Sequence, residues 1–126
     1  MPREGSPDRD RIRVQHMLDA ARDVMGFVSE RTRADLDSDA MLVRAVSHAI
    51  LEIGEAAART TDAGRARASH LPWGQIVGMR NVLVHVYWAV DRDRLWRTAT
   101  EDVPVLVSLL EDATRDWPLE ESGPSE

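Results

Sequence analysis

The sequence predicts an all-α fold, an up-and-down bundle of four to five helices, on three observations. Apolar residues recur at spacings of three and four through most of the chain. No stretch alternates apolar and polar residues with the β-branched side chains and hairpin turns of a sheet. The breaks between periodic stretches are short and rich in Gly, Pro, Ser and Asp, which leaves consecutive helices side by side and antiparallel.

Residues 1–8 and the closing PLEESGPSE, residues 118–126, are rich in Pro, Gly, Ser and acid and read as flexible tails around a single domain at 9–117. Within residues 9–30, Ile12, Met17, Leu18, Ala21, Val24, Met25 and Val28 form the apolar stripe of a first helix. The acid-rich RADLDSD then supplies turn and capping residues, with Asp37 or Asp39 as N-cap of a second helix over 40–59. That helix turns Leu42, Ala45, Val46, Ala49, Ile50, Ile53, Ala56 and Ala57 inward. TTDAGRARASHLPW is a connection. Pro72 opens a third helix running to about residue 88, since proline fits a first turn where its missing N–H costs least. A further helix begins at about residue 91 and is interrupted near Asp102, which is placed to cap a new segment with Pro104 in its first turn. Val103, Leu106, Val107, Leu110 and Ala113 continue the stripe there.

Composition narrows the function. The chain has 126 residues, 43% hydrophobic and 30% charged, the balance of a soluble domain large enough to bury a core unaided. No apolar run approaches the roughly 20 residues that span a bilayer, and MPREGSPDRDRIR lacks the apolar segment of a signal peptide. A cytoplasmic protein is expected. With no Cys, disulfides and thiolate-bound zinc are out of reach. The net charge of −6 argues against a general nucleic-acid coat and leaves room only for a local basic patch. All 16 fixed cations are Arg, planar forks suited to carboxylates and phosphates.

The motifs narrow it further. His16, His48, His70 and His85 show neither HExxH nor the Glu-x-x-His spacing of di-iron bundles, so no metal is assigned, and no cofactor. Asp91 and Asp93 form a DxD, but at a helix start where capping accounts for them. No nucleophile elbow, phosphate loop or dinucleotide fingerprint is present. His16 and His48 read as residues at the solvent edge of the bundle. Gly54, in LEIGEAA, reads as a close helix–helix contact, and Glu52 and Glu55 beside it as a solvated face or partners of an Arg.

GMRNVLVHVYW, residues 78–88, is the exception, because it concentrates Arg80, Asn81, His85 and Tyr87. On a regular helix Arg80 and Tyr87 lie about 20° apart and Asn81 and His85 about 40° apart, on two neighbouring edges. Arg80 and His85 are about 140° apart on the same reckoning, too far to meet within one chain, and a two-fold dimer would bring each Arg towards the other chain's His. An imidazole beside a guanidinium suits RNA cleavage without a metal. The imidazole exchanges protons with the 2′-hydroxyl or the leaving oxygen, and the guanidinium neutralises the phosphorane. Alone, the spacing favours a structural or interface His, since an Arg followed five positions later by a His is common in a chain this rich in Arg.

RNVLVHVY resembles the R-x4-H-x-Y motif of HepT-like toxins in the HEPN ribonuclease superfamily. LEIGEAA resembles that family's EIGEA helix, LPWGQIVGMRN its approach to the motif, and VDRDRLW with DVPVL its continuation, so the resemblance spans roughly residues 10–115. It implies a HEPN-type bundle that forms a homodimer, with Arg80 and His85 as ribonuclease residues in a cleft at the dimer interface and Asn81 in support. It also implies a toxin of a type II or type VII-like toxin–antitoxin pair. The partner would be an MntA-type nucleotidyltransferase antitoxin that uses ATP and Mg²⁺ to transfer AMP to Tyr87, the only Tyr in the chain. Phosphate on Tyr87 would occupy Arg80 and repel RNA. Trp88 stands where the family has another aromatic and packs or stacks on a base. Arg92, Arg94 and Arg97 form a candidate RNA-binding rim, unless they pair with Asp91, Asp93 or Glu101. The alternative is a non-catalytic nucleotide-binding or nucleotidyltransferase-docking module, and a third reading is a structural dimerisation domain.

Overall fold

A computed structural model describes residues 7–83 and 90–119, and over these the chain is an all-α bundle. Helix α1 (Pro7–Val28) lies between α3 (Ala40–Arg59) and α7 (Val103–Asp116), and these three long helices carry most of the core. Val14, Met17, Ala21 and Val24 of α1 meet Val46, Ile50 and Ile53 of α3 and Val103 and Leu110 of α7, all buried. Ile12 and Met25, expected on the α1 stripe, are exposed instead. The stripe of α1 faces two partners through Val14, Met17, Ala21 and Val24, and Ile12 and Met25 flank that arc.

Helix α1 starts inside the stretch expected to be a tail, and it ends at Val28, with Glu30 in a left-handed conformation (φ 61°) that turns the chain. A single turn, α2 (Asp35–Ser38), precedes α3. Of the two candidate caps, Asp39 does the capping: its side chain accepts from the Leu42 N–H at 3.1 Å. Asp37 lies within α2 and pairs with Arg33.

The connection after α3 contains a short helix, α4 (Asp62–Arg67), capped by Thr61. Asp10, fully buried at the start of α1, accepts from the Thr61 N–H at 3.0 Å and from the Thr61 hydroxyl, and pairs with Arg13 at 3.1 Å. Gly64 lets this happen. A Cβ there would stand 2.6 Å from Asp10 Cβ and closer to its carboxylate. At the same end of α1, Arg11 donates from Nε to the Trp117 carbonyl, and burial pushes its guanidinium pKa down, against the raising effect of Asp19.

The third long helix expected from Pro72 is not one helix. Pro72 stands at the N-cap, α5 runs Trp73–Gly78, and the chain then tightens into a 3₁₀ turn, Met79–Leu83. Trp73 anchors the start: it is buried, donates from Nε1 to Ala68 O at 3.1 Å and lies under the Arg65 guanidinium at 5.6 Å. Helix α6 (Arg92–Arg97) begins on Asp91, whose side chain accepts from the Arg94 N–H. The expected break near Asp102 is a widening instead. Residues Thr98–Asp102 are π-helical, and the chain passes without interruption into α7. Asp102 makes no side-chain cap, because Pro104, which lacks the N–H that would reach back along the helix, is accommodated by wider turns rather than by a new start. Among the described residues, no helix is long and apolar enough to cross a membrane.

Candidate active site

Gly54 and Arg80 define the site. Arg80 stands in the 3₁₀ turn, and its aliphatic stem crosses α3 at Gly54, where a Cβ would come within 2.9 Å of Arg80 Cδ and closer still to Cγ. Only glycine leaves that passage open. The close helix–helix contact expected at Gly54 is therefore real: the Val77 carbonyl of α5 lies against it, and the stem of Arg80 lies closer still. Beyond the notch, Arg80 Nη1 donates to Glu55 Oε2 at 3.1 Å, and Nε donates to Val77 O at 3.3 Å. Glu55, left open between a solvated face and a partner for an Arg, is the Arg80 partner.

The pair is half in water, with the Arg80 side chain 35% and that of Glu55 41% exposed. An ion pair in that setting contributes about 0–1 kcal/mol, so its effect is to orient the guanidinium more than to hold the fold. Among the described residues only two of the five guanidinium N–H donors are taken, which leaves a fork able to meet a phosphate. Asn81, beside it, is exposed. His85, Tyr87 and Trp88 lie outside the described residues. The angles expected from a regular helix do not hold at the start of the strip, since a 3₁₀ turn advances about 120° per residue.

Two of the three rim arginines lie on another side of the 3₁₀ turn. Arg94 and Arg97 line a cavity of about 310 Å³ together with Gly78, Met79 and Val82, the side of the 3₁₀ turn that meets α6, whereas Arg80 reaches towards α3. Arg92 is exposed at the first turn of α6. Two of the carboxylates weighed as partners of the rim have other partners. Asp93 binds Arg33 Nε at 2.6 Å, and that bond, with a second from Asp37, holds the Arg33 guanidinium above its ordinary pKa. Asp91 caps α6.

His16 and His48 are exposed, as expected, but not unrelated: both line a groove of about 720 Å³ between α1 and α3 that Glu55 also borders. Periodicity within one helix could not find this groove. The signal is present only when two stripes are set side by side, Arg9, Arg13 and His16 on one helix and His48, Glu52, Glu55 and Arg59 on the other. Asp10 was missed as well, because nothing local distinguishes a buried acid at a helix start from a solvated one.

The family model "Ribonuclease HepT-like" matches residues 17–113, which include Gly54, Glu55, Arg80 and the whole 3₁₀ turn. The chain belongs to the HepT-like ribonuclease family. "Putative RNase MJ1380" of Methanocaldococcus jannaschii is 34% identical over 88 residues, 70% of this chain and 81% of that protein. "Putative RNase TTE0752" of Caldanaerobacter subterraneus subsp. tengcongensis is 30% identical over 93 residues, covering 74% and 83% of the two chains. "Probable ribonuclease HepT" of Thermococcus cleftensis is likewise 30% identical over 93 residues, covering 74% and 84%. No solved structure matches the chain. Membership in the HepT-like family makes the resemblance of RNVLVHVY to the R-x4-H-x-Y motif the natural frame for the Arg80 site.

Proposed function

We propose that this protein is a metal-independent endoribonuclease, the toxin of a type II or type VII-like toxin–antitoxin pair, built as the single domain 9–117. The observation that carries the reading is the seating of Arg80: a notch at Gly54, a carboxylate at Glu55 and a backbone carbonyl at Val77 aim a guanidinium with open donors at solvent, in a chain of the HepT-like family.

The chemistry assigned is transesterification. His85 takes the proton of an RNA 2′-hydroxyl, O2′ attacks the adjacent phosphorus, and the bond to the 5′-oxygen breaks, giving a 2′,3′-cyclic phosphate and a 5′-hydroxyl once that oxygen is protonated. Arg80 neutralises the phosphorane, the electrostatic contribution that is usually largest, and Asn81 supports it as a hydrogen-bond donor. The site is composite, with Arg80 of one protomer working with His85 of the other in a homodimer, and the rim Arg92, Arg94 and Arg97, with Trp88, holds the flanking RNA. Silencing is covalent. An MntA-type nucleotidyltransferase directs the Tyr87 oxygen at the α-phosphorus of Mg·ATP, releasing pyrophosphate and leaving AMP on the phenol, where its phosphate occupies Arg80.

The test joins RNA cleavage in chelator with intact mass. Wild type should cut RNA with EDTA present, Arg80→Ala and His85→Ala should both be inactive with unchanged helical circular dichroism, and an AMP adduct on Tyr87 should abolish cutting. Unmodified wild type that binds the nucleotidyltransferase but never cuts RNA would replace the enzyme with a docking module.

A further inference from the structure

We propose that the groove between α1 and α3 is the track along which the RNA strand reaches Arg80, an inference that rests on the ribonuclease reading and names where its substrate lies. The groove holds about 720 Å³, within the range of ordinary ligand clefts of about 300–1,000 Å³. It is bordered by three fixed cations, Arg9, Arg13 and Arg59, and by the imidazoles of His16 and His48. In a chain of net charge −6, that gathers three guanidiniums and two imidazoles on one surface.

Two acids border it as well. Glu55 is bound to Arg80 at 3.1 Å, and Glu52 lies 3.8 Å from His48 Nε2, so each has a basic group beside it. Glu55 also connects the two features: it borders the groove and holds Arg80, so the guanidinium stands at the groove's edge. From His48 to Arg59 the α3 wall runs eleven residues, about 16 Å at helical rise, long enough for a strand rather than a single phosphate. Arg13 is fixed in place by buried Asp10, which turns a flexible side chain into a positioned one.

A polynucleotide fits these walls better than a protein does. Ile12, Leu51 and Ala56 line the groove among five basic side chains and two acids, whereas the centre of a protein interface is depleted of charge and rich in large apolar side chains. Phosphates on arginine forks, with Ile12 and Leu51 against ribose or base, use every wall the groove offers.

The experiment separates binding from cutting by using a fluorescein-labelled 2′-O-methyl RNA, which cannot be cleaved by its own 2′-oxygen, alongside ordinary RNA. With the full chain, the double variant Arg9→Gln/Arg59→Gln should bind the 2′-O-methyl strand about tenfold more weakly at moderate salt, and the slope of log affinity against log salt should fall by about 1.4 for two lost contacts. Arg9→Lys/Arg59→Lys should restore most of the affinity, and Tm should stay unchanged in both. Unaltered RNA affinity in the Gln double variant overturns the track while leaving cleavage, and so the ribonuclease reading, intact. Weakened binding with no cutting of ordinary RNA by wild type keeps the track and removes the ribonuclease. If the Gln variant instead loses self-association or a co-purifying protein with RNA affinity unmoved, the groove is a protein interface and the proposal fails.

Discussion

Asp10 and Arg80 are each a charged side chain laid against a glycine of a neighbouring helix, Asp10 against Gly64 of α4 and Arg80 against Gly54 of α3. The sequence device is the same and the outcome is opposite. Asp10 is fully buried, and its carboxylate is bound by Arg13 and by the backbone and hydroxyl of Thr61, so it ties the start of α1 to α4. Arg80 keeps a third of its side chain in water and spends two donors on Glu55 and Val77. A buried ion whose hydrogen bonds are met holds the structure together, while an exposed one that is aimed but not used up is available for chemistry.

Removing each charge should break the comparison cleanly. Arg80→Ala should cut the rate of single-turnover RNA cleavage by about 10²–10³, the usual loss for one transition-state donor, and shift Tm little. Asp10→Ala should do the reverse. It removes the acceptor shared by Arg13 and the Thr61 donors and should cost about 3 kcal/mol in urea unfolding, while the cleavage rate per folded molecule at saturating RNA stays within about twofold. Equal loss of activity in both would mean that the α1–α4 end belongs to the site.

The two glycines sharpen it. Gly64→Ala meets Asp10 at its Cβ and carboxylate, atoms fixed by three hydrogen bonds, and should destabilise by about 1–3 kcal/mol. Gly54→Ala meets the stem of Arg80, which can swing away, and the Val77 carbonyl only at an ordinary 3.4 Å, and alanine in mid-helix returns up to about 1 kcal/mol of helix propensity. Stability should then barely change, yet cleavage should fall roughly tenfold as the guanidinium loses its seat on Glu55. Calorimetry and single-turnover rates on both variants decide this.

The readable part of the molecule follows from what is local. Helical periodicity places α3 at its observed bounds, and the capping rule includes Asp39 as one of two choices, because both depend on residues three or four apart. Where the reading strays, a distant partner decides. Ile12 belongs to the apolar repeat of α1 but falls outside the arc that α3 and α7 cover. The 3₁₀ turn at Met79–Leu83 interrupts a helix that propensity alone would extend, and it is there that Arg80 crosses Gly54, twenty-six positions away in sequence. Arg80 itself is found by motif, whereas its seat on Glu55 and the α1–α3 groove need the packing.

Another acid, Asp39, tests whether neither burial nor a site is needed for a carboxylate to matter. Its side chain is 37% exposed, and hydrogen bonds from the Leu42 N–H, then from the Arg31 guanidinium, hold its pKa below the ordinary carboxylate value. A depressed folded-state pKa means that the unfolded chain binds the proton more readily, so Asp39 stabilises the fold fully above the ordinary carboxylate range and loses that effect as pH falls through the folded value. Asp39→Ala should therefore lower Tm by a few degrees near neutral pH through loss of the α3 cap, and the gap to wild type should close below about pH 4. A gap that persists unchanged into acid would assign the loss to side-chain packing and not to the charged cap, and would leave burial, as at Asp10, the main way an acid stabilises this bundle.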